Sequence, residues 1–170
     1  MKRLAGFALV FGALAAAAVL SGNQPAQPQA KTSDFQVTLE DRNPWSHLRL
    51  NNEPETFRFA IISDRTGGHR AQIFSQAVER LNLMQPEFVM SVGDLIEGYT
   101  DNKDKLVGEW KEFQTYISQL QMPFFYVPGN HDVSKLGEKS WKEKFGRRYY
   151  HFLYKEVSDC AGCGLAFNMV

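Results

Sequence analysis

The sequence predicts an α/β fold built around a largely parallel sheet. Three observations carry that expectation. Short, almost wholly apolar runs alternate with amphipathic stretches, which is the pattern of βαβ units with strands buried on both faces. Each apolar run ends in a cluster of turn residues. The amphipathic stretches between them show helical spacing and stop at a proline.

The first strand is expected over Phe57 to Ile62, closed by Ser63-Asp64-Arg65-Thr66-Gly67-Gly68. A helix follows from Ala71 to Met84, with Ile73, Phe74, Ala77, Val78 and Leu81 on one face, and Pro86 stops it. The second strand is Phe88 to Val92, closed by Gly93-Asp94. After a polar loop from Thr100 to Lys105, the residues Leu106, Trp110, Phe113, Ile117 and Leu120 recur at helical spacing, ending before Pro123. The third strand, Phe124 to Val127, runs into Pro128-Gly129-Asn130-His131-Asp132. A shorter helix around Glu138 to Phe145 and a strand around Tyr149 to Tyr154 complete the regular pattern.

Four regions are expected. Residues 1–22 carry Lys2 and Arg3, then an uncharged run from Leu4 to Leu20, then Ser21 and Gly22, the order of a secretory signal peptide. Cleavage after Ser21 or Gly22 implies an exported protein, periplasmic or extracellular. The alternative is an uncleaved anchor, which is the one route to a membrane that the sequence offers. Residues 23–52 read as a Gln-, Pro- and Ala-rich linker to Ser33 and a mixed N-terminal extension. Residues 53–156 hold the regular pattern. Residues 157–170 lack the apolar strand expected after Tyr154 and read as an atypical or truncated tail.

Composition narrows the function. The chain has 170 residues, 44% of them hydrophobic, enough to build a core, and a formal net charge of +0 that gives no basic signature of a nucleic-acid partner. The two cysteines form the single run Cys160-Ala161-Gly162-Cys163. A zinc site of this kind needs a second pair, and a redox motif needs a thioredoxin-like setting, so a redox protein is the weakest of the readings.

In open parallel sheets, ligand sites form outside the carboxyl ends of the strands. Asp64, Asp94, and Asn130 with His131 all fall there. Two carboxylates, an amide oxygen and an imidazole suit divalent cations, with the nitrogen favouring Mn, Fe or Zn. Two such ions close together can activate a water and neutralise a phosphate. Taken singly, each aspartate reads equally well as a turn or cap residue. Their recurrence in order after successive strands is what favours a site.

The blocks Gly93-Asp94-Leu95-Ile96-Glu97-Gly98 and Gly129-Asn130-His131-Asp132, following the strand-end Asp64, resemble the calcineurin-like metallophosphoesterases over roughly Phe57 to Tyr154. The resemblance implies a layered α/β sandwich of the metallophosphoesterase type, of which this chain holds the N-terminal βαβαβ half. It implies two divalent metal ions and a phosphate mono- or diester substrate. By resemblance, Asp64 is a ligand of the first metal, Asp94 the bridging ligand and Asn130 a ligand of the second. His131 is the phosphate-contacting histidine and proton donor to the leaving group, and Asp132 orients its ring.

Two departures follow. The family's D-x-H reads Asp64-Arg65-Thr66 here, leaving Thr66, or His69 after its glycine pair, as the substitute donor. Arg65 and Arg70 read as surface residues rather than phosphate ligands. The family's later histidines, including a G-H-x-H block, have no counterpart, since His151 reads as a sheet-face residue. A non-catalytic, metal-poor remnant or binding module of the same fold is therefore the second reading.

Overall fold

The computed structural model describes residues 29–32, 35–51, 58–66, 68, 70–156 and 164–169. The signal-like segment, His69 and the Cys160/Cys163 pair lie outside the described residues.

Two sheets and a helical layer stack on one another. The parallel sheet has the order β3-β4-β5, from β3 (Phe59–Ile62), β4 (Phe88–Ser91) and β5 (Phe124–Phe125). Its register pairs Phe59 with Phe88, Ile62 with Ser91, and Met90 with Phe125. Helices α1 (Ile73–Met84) and α2 (Lys103–Ile117) are the crossovers, and α3 (Gly137–Phe145) follows β5. The second sheet is antiparallel, in the order β1-β2-β6-β7, from β1 (Gln29–Thr32), β2 (Phe35–Thr38), β6 (Tyr150–Glu156) and β7 (Gly164–Met169).

Strand alternation divides the core in two. Val89, Phe124 and Tyr126 face the helices, where they pack with Val78, Trp110, Phe113 and Trp141. Phe88, Met90, Phe125 and Val127 face the second sheet and meet Phe35, Val37, Tyr150, Phe152 and Tyr154. Aromatic rings fill the space between the sheets: Phe125 stacks on Phe152 at 4.6 Å, and Phe88 meets Tyr154 edge-on at 5.5 Å. Ser91 ties β4 to the segment after β5, since its hydroxyl accepts from Val127 N at 2.8 Å.

The helix ends follow local chemistry. The Asn102 side chain accepts from Lys105 N at 3.0 Å and starts α2 at Lys103, inside the stretch expected as loop. At the end of α1, Gln85 turns left-handed, its N–H bonds Leu81 O, and Pro86 follows.

Three expectations need correction. The last strand of the regular pattern, Tyr150–Glu156, does not extend the parallel sheet; it pairs antiparallel with β2. The reason is in its pattern: Tyr150, Phe152 and Tyr154 are buried while His151 is exposed, so one face alone is apolar, as befits an antiparallel strand. Residues 29–32, expected as linker, form β1 on β2, and the extension supplies the deeply buried Phe35 and Val37. The tail expected to lack a strand contains β7, which runs along β6 from Tyr154↔Leu165 to Tyr150↔Met169.

Strand β3 stands at the edge of its sheet, with Phe59 37% and Ile61 57% exposed. The second sheet packs on β4 and β5 through Phe88, Met90, Phe125 and Val127.

Candidate active site at the ends of three parallel strands

The segments that leave β3, β4 and β5 meet at the carboxyl edge of the parallel sheet. Pairing outlasts the strands: Val92 N donates to Ile62 O at 3.1 Å, and Asp64 N to Gly93 O at 3.3 Å. Gly93 and Gly129 then let two backbones touch. A Cβ on Gly93 would lie 2.5 Å from the Gly129 Cα, and one on Gly129 would lie 2.2 Å from Asp94 Oδ1. With Gly93 also at φ +103, no other residue fits this crossing. Asp64 and Asp94 themselves adopt left-handed backbone, φ 51 and φ 57. Aspartate tolerates that region better than most residues, and such outliers cluster at functional sites.

The third segment is fastened to the second through aspartates. His131 N donates to Asp94 Oδ1 at 3.1 Å, leaving Oδ2 of Asp94 without a donor among the described residues. Asp132 is fully buried. Its Oδ1 accepts from Leu95 N at 2.8 Å and Ile96 N at 3.1 Å, and its Oδ2 from Gly129 N at 2.7 Å. Burial pushes the Asp132 carboxyl up to about 6, against the pull of those three N–H groups. The three backbone donors are the partners that suit an acceptor-only carboxylate.

This geometry corrects the role expected for Asp132. It does not orient the His131 ring. Its oxygens are committed to the backbone, and His131 Nδ1 instead lies 2.7 Å from Glu97 O. A carbonyl only accepts, so Nδ1 carries a proton and Nε2 is the nitrogen left to face a substrate. The side of the imidazole is held by Tyr99, whose ring meets it edge-on at 4.8 Å. Asn130 Nδ2 donates to the Tyr99 hydroxyl at 2.8 Å.

Thr66 lies beside the site, its hydroxyl donating to Asp94 O at 3.3 Å. Ser63 donates its hydroxyl hydrogen to Asp64 Oδ2. Arg65, expected at the surface, is buried instead. Its guanidinium pairs with Glu112 at 2.7 Å, donates to Leu95 O at 3.3 Å and lies 5.3 Å from the centre of the Tyr116 ring. It props the β4 loop against α2 and is turned away from substrate duty. Arg70 is exposed and, with Asp64, Ile73 and Phe74, lines a cavity of about 380 Å³. A larger groove of about 900 Å³, between Leu39–Arg42 and α3, contains none of the strand-end residues.

Among the described residues no three His, Cys, Asp or Glu side chains gather as a metal group. The edge carries oxygen donors on its three segments: Asp64, whose backbone N–H bonds Gly93 O, Asp94, and Asn130, whose Oδ1 has no donor among the described residues. These suit a hard divalent cation in kind but are fewer than the six or so ligands such ions take. Tyr99 and the Glu97 carbonyl were not foreseen from sequence. The signal available was positional, since Glu97 lies within the Gly93-to-Gly98 block and Tyr99 follows it directly.

The parallel sheet thus brings acidic and amide side chains and an imidazole to one carboxyl edge. The chain belongs to the calcineurin-like phosphoesterase family, whose sequence model matches residues 57–165. It is also 29% identical over 98 residues to a protein from Nostoc sp. named a 3',5'-cyclic-nucleotide phosphodiesterase. That match covers 51% of this chain and 35% of the relative, so the chain spans about a third of the relative's length. No solved structure gives a significant match. Family and relative agree on phosphoesterase chemistry, and the family generally uses divalent metals.

Proposed function

We propose that this protein hydrolyses phosphate esters at the edge formed by Asp64, Asp94, Asn130 and His131, using two divalent ions drawn from Mn, Fe and Zn. The observation that supports this reading most is the convergence of three separate segments, locked by the Gly93–Gly129 contact and the Asp94–His131 bond. Asp64, Asp94 and Asn130 hold cations through oxygen. Cations bound there supply charge neutralisation for the phosphoryl oxygens and a water acidic enough to attack at neutral pH. His131, with Nδ1 satisfied by Glu97 O, presents Nε2 to the ester and, as the imidazolium, gives its proton to the leaving oxygen. Asp132 holds the Gly129-to-Asp132 turn against the β4 loop, so that His131 and Asp94 keep their relation. The leading segment carries the protein out of the cytoplasm before it acts.

The Nostoc relative's name favours a phosphodiester as the substrate. Hydrolysis of bis(p-nitrophenyl) phosphate is expected to require Mn²⁺ and to stop on addition of a chelator. Hydrolysis that survives chelation contradicts the reading. A second reading, a metal-poor binding module, draws on the absence of a three-residue metal group among the described residues. It predicts phosphate-ester binding without turnover at any Mn²⁺ concentration.

A further inference from the structure

We propose that Tyr99 is a positioning residue of this site: its hydroxyl anchors the Asn130 side chain in place, and its ring edge braces the imidazole of His131. This inference rests on the phosphoesterase reading above.

Tyr99 is badly placed for any ordinary packing role. It is 51% exposed, so its ring is not part of either core cluster. Its backbone sits at φ 46, in the left-handed region that costs a non-glycine residue roughly 1–2 kcal/mol. A loop with no task at this point would be better served by Gly or Asn. The surroundings enforce the conformation. Tyr99 N donates to Ser134 Oγ at 2.7 Å, and that hydroxyl donates in turn to His131 O at 3.1 Å. Just before it, a Cβ on Gly98 would fall 1.9 Å from His131 O, so the β4 loop is pressed directly onto the Asn130-His131 turn. Strain held in place by several neighbours beside a reactive group is the pattern of a functional residue.

The chemistry of the contact gives the role. A phenol both donates and accepts, so Tyr99 would satisfy the Asn130 amide in either of its two flipped orientations. A cation accepts only the carbonyl oxygen. With Oδ1 given to a cation, Nδ2 must face Tyr99, and the hydroxyl must accept, as it does here at 2.8 Å. The ring meanwhile meets the imidazole at an interplanar angle of 87°, opposing rotation of His131 away from Glu97 O. One side chain thus anchors the Asn130 amide and braces the His131 ring against Glu97 O.

The test uses Tyr99→Phe, which keeps the ring and its backbone, with two readouts other than turnover. Isothermal titration with Mn²⁺ is expected to show binding weakened about tenfold or more, the usual cost of losing a group that orients a metal ligand. In the metal-free protein, the side-chain amide protons of Asn130 are expected to shift upfield by NMR, because their acceptor is gone. The thermal midpoint should stay that of the parent. Unchanged Mn²⁺ affinity in the variant, or an unmoved Asn130 amide pair, overturns the assignment of Tyr99. If the parent itself binds no Mn²⁺, the phosphoesterase reading fails, and the Asn130 resonances alone decide whether Tyr99 positions the amide.

Discussion

An Asp94→Asn variant is expected to lose on the order of a hundredfold or more in phosphoester hydrolysis while folding as the parent does. The two consequences separate because the two oxygens of Asp94 do different things. Oδ1 accepts the His131 N–H, and an asparagine carbonyl serves that bond equally well. Oδ2 has no donor among the described residues, and with its charge it is the atom offered to a cation. Replacing it with an NH₂ group removes both the lone pair and the negative charge, which no neighbour restores. The unfolding midpoint should therefore move little, whereas kcat/KM and Mn²⁺ affinity fall together. Unchanged hydrolysis by this variant would remove Asp94 from the site.

Asp132→Ala is expected to act in the opposite sense, on folding first. The residue is wholly buried, and its carboxylate accepts from three backbone N–H groups, those of Leu95, Ile96 and Gly129. Leaving a buried donor unsatisfied costs about 1–3 kcal/mol. With partial repair by entering water, the loss should reach about 3–5 kcal/mol in urea unfolding, near the upper end for single substitutions. Asp132→Asn discriminates the mechanism. Its carbonyl still serves Leu95 and Ile96, but its NH₂ group faces the Gly129 N–H, donor against donor. A loss of about 2–3 kcal/mol is expected for it, most of the penalty for one third of the bonds. If both variants unfold with the parent's midpoint, the backbone clamp assigned to Asp132 is wrong.

Much of this was legible in the sequence, and the reasons for success and failure are physical. The strands from Phe88 and Phe124 announced themselves because a strand buried on both faces leaves a continuous apolar run, the edge strand from Phe59 by an apolar run of its own although one face is exposed, and the helices between them because Pro86 and Pro123 stop them. Successive parallel strands put the segments carrying Asp64, Asp94 and Asn130 at one sheet edge. Partners within the site were not legible. The resemblance implied that Asp132 accepts a hydrogen bond from the His131 ring, but three converging backbone N–H groups are made by folding and leave no trace in local sequence. Arg65 looked like a surface cation, and only tertiary packing puts Glu112 and Tyr116 around it. Strands β1 and β7 went unseen because pairing to β2 and β6 defines them more than their own composition does. In β6, by contrast, the alternation of Tyr150, Phe152 and Tyr154 was on view, and it pointed to an antiparallel sheet.

The central claim is that the three strand-end segments form one cation-binding edge. Paramagnetic broadening of backbone amide signals during a Mn²⁺ titration tests it most directly. The signals of residues 63–66, 93–97 and 129–132 are predicted to broaden together at the lowest Mn²⁺ concentrations, ahead of those lining the Leu39–Arg42 groove. Broadening that starts elsewhere, or that reaches one of the three segments without the other two, would contradict the account.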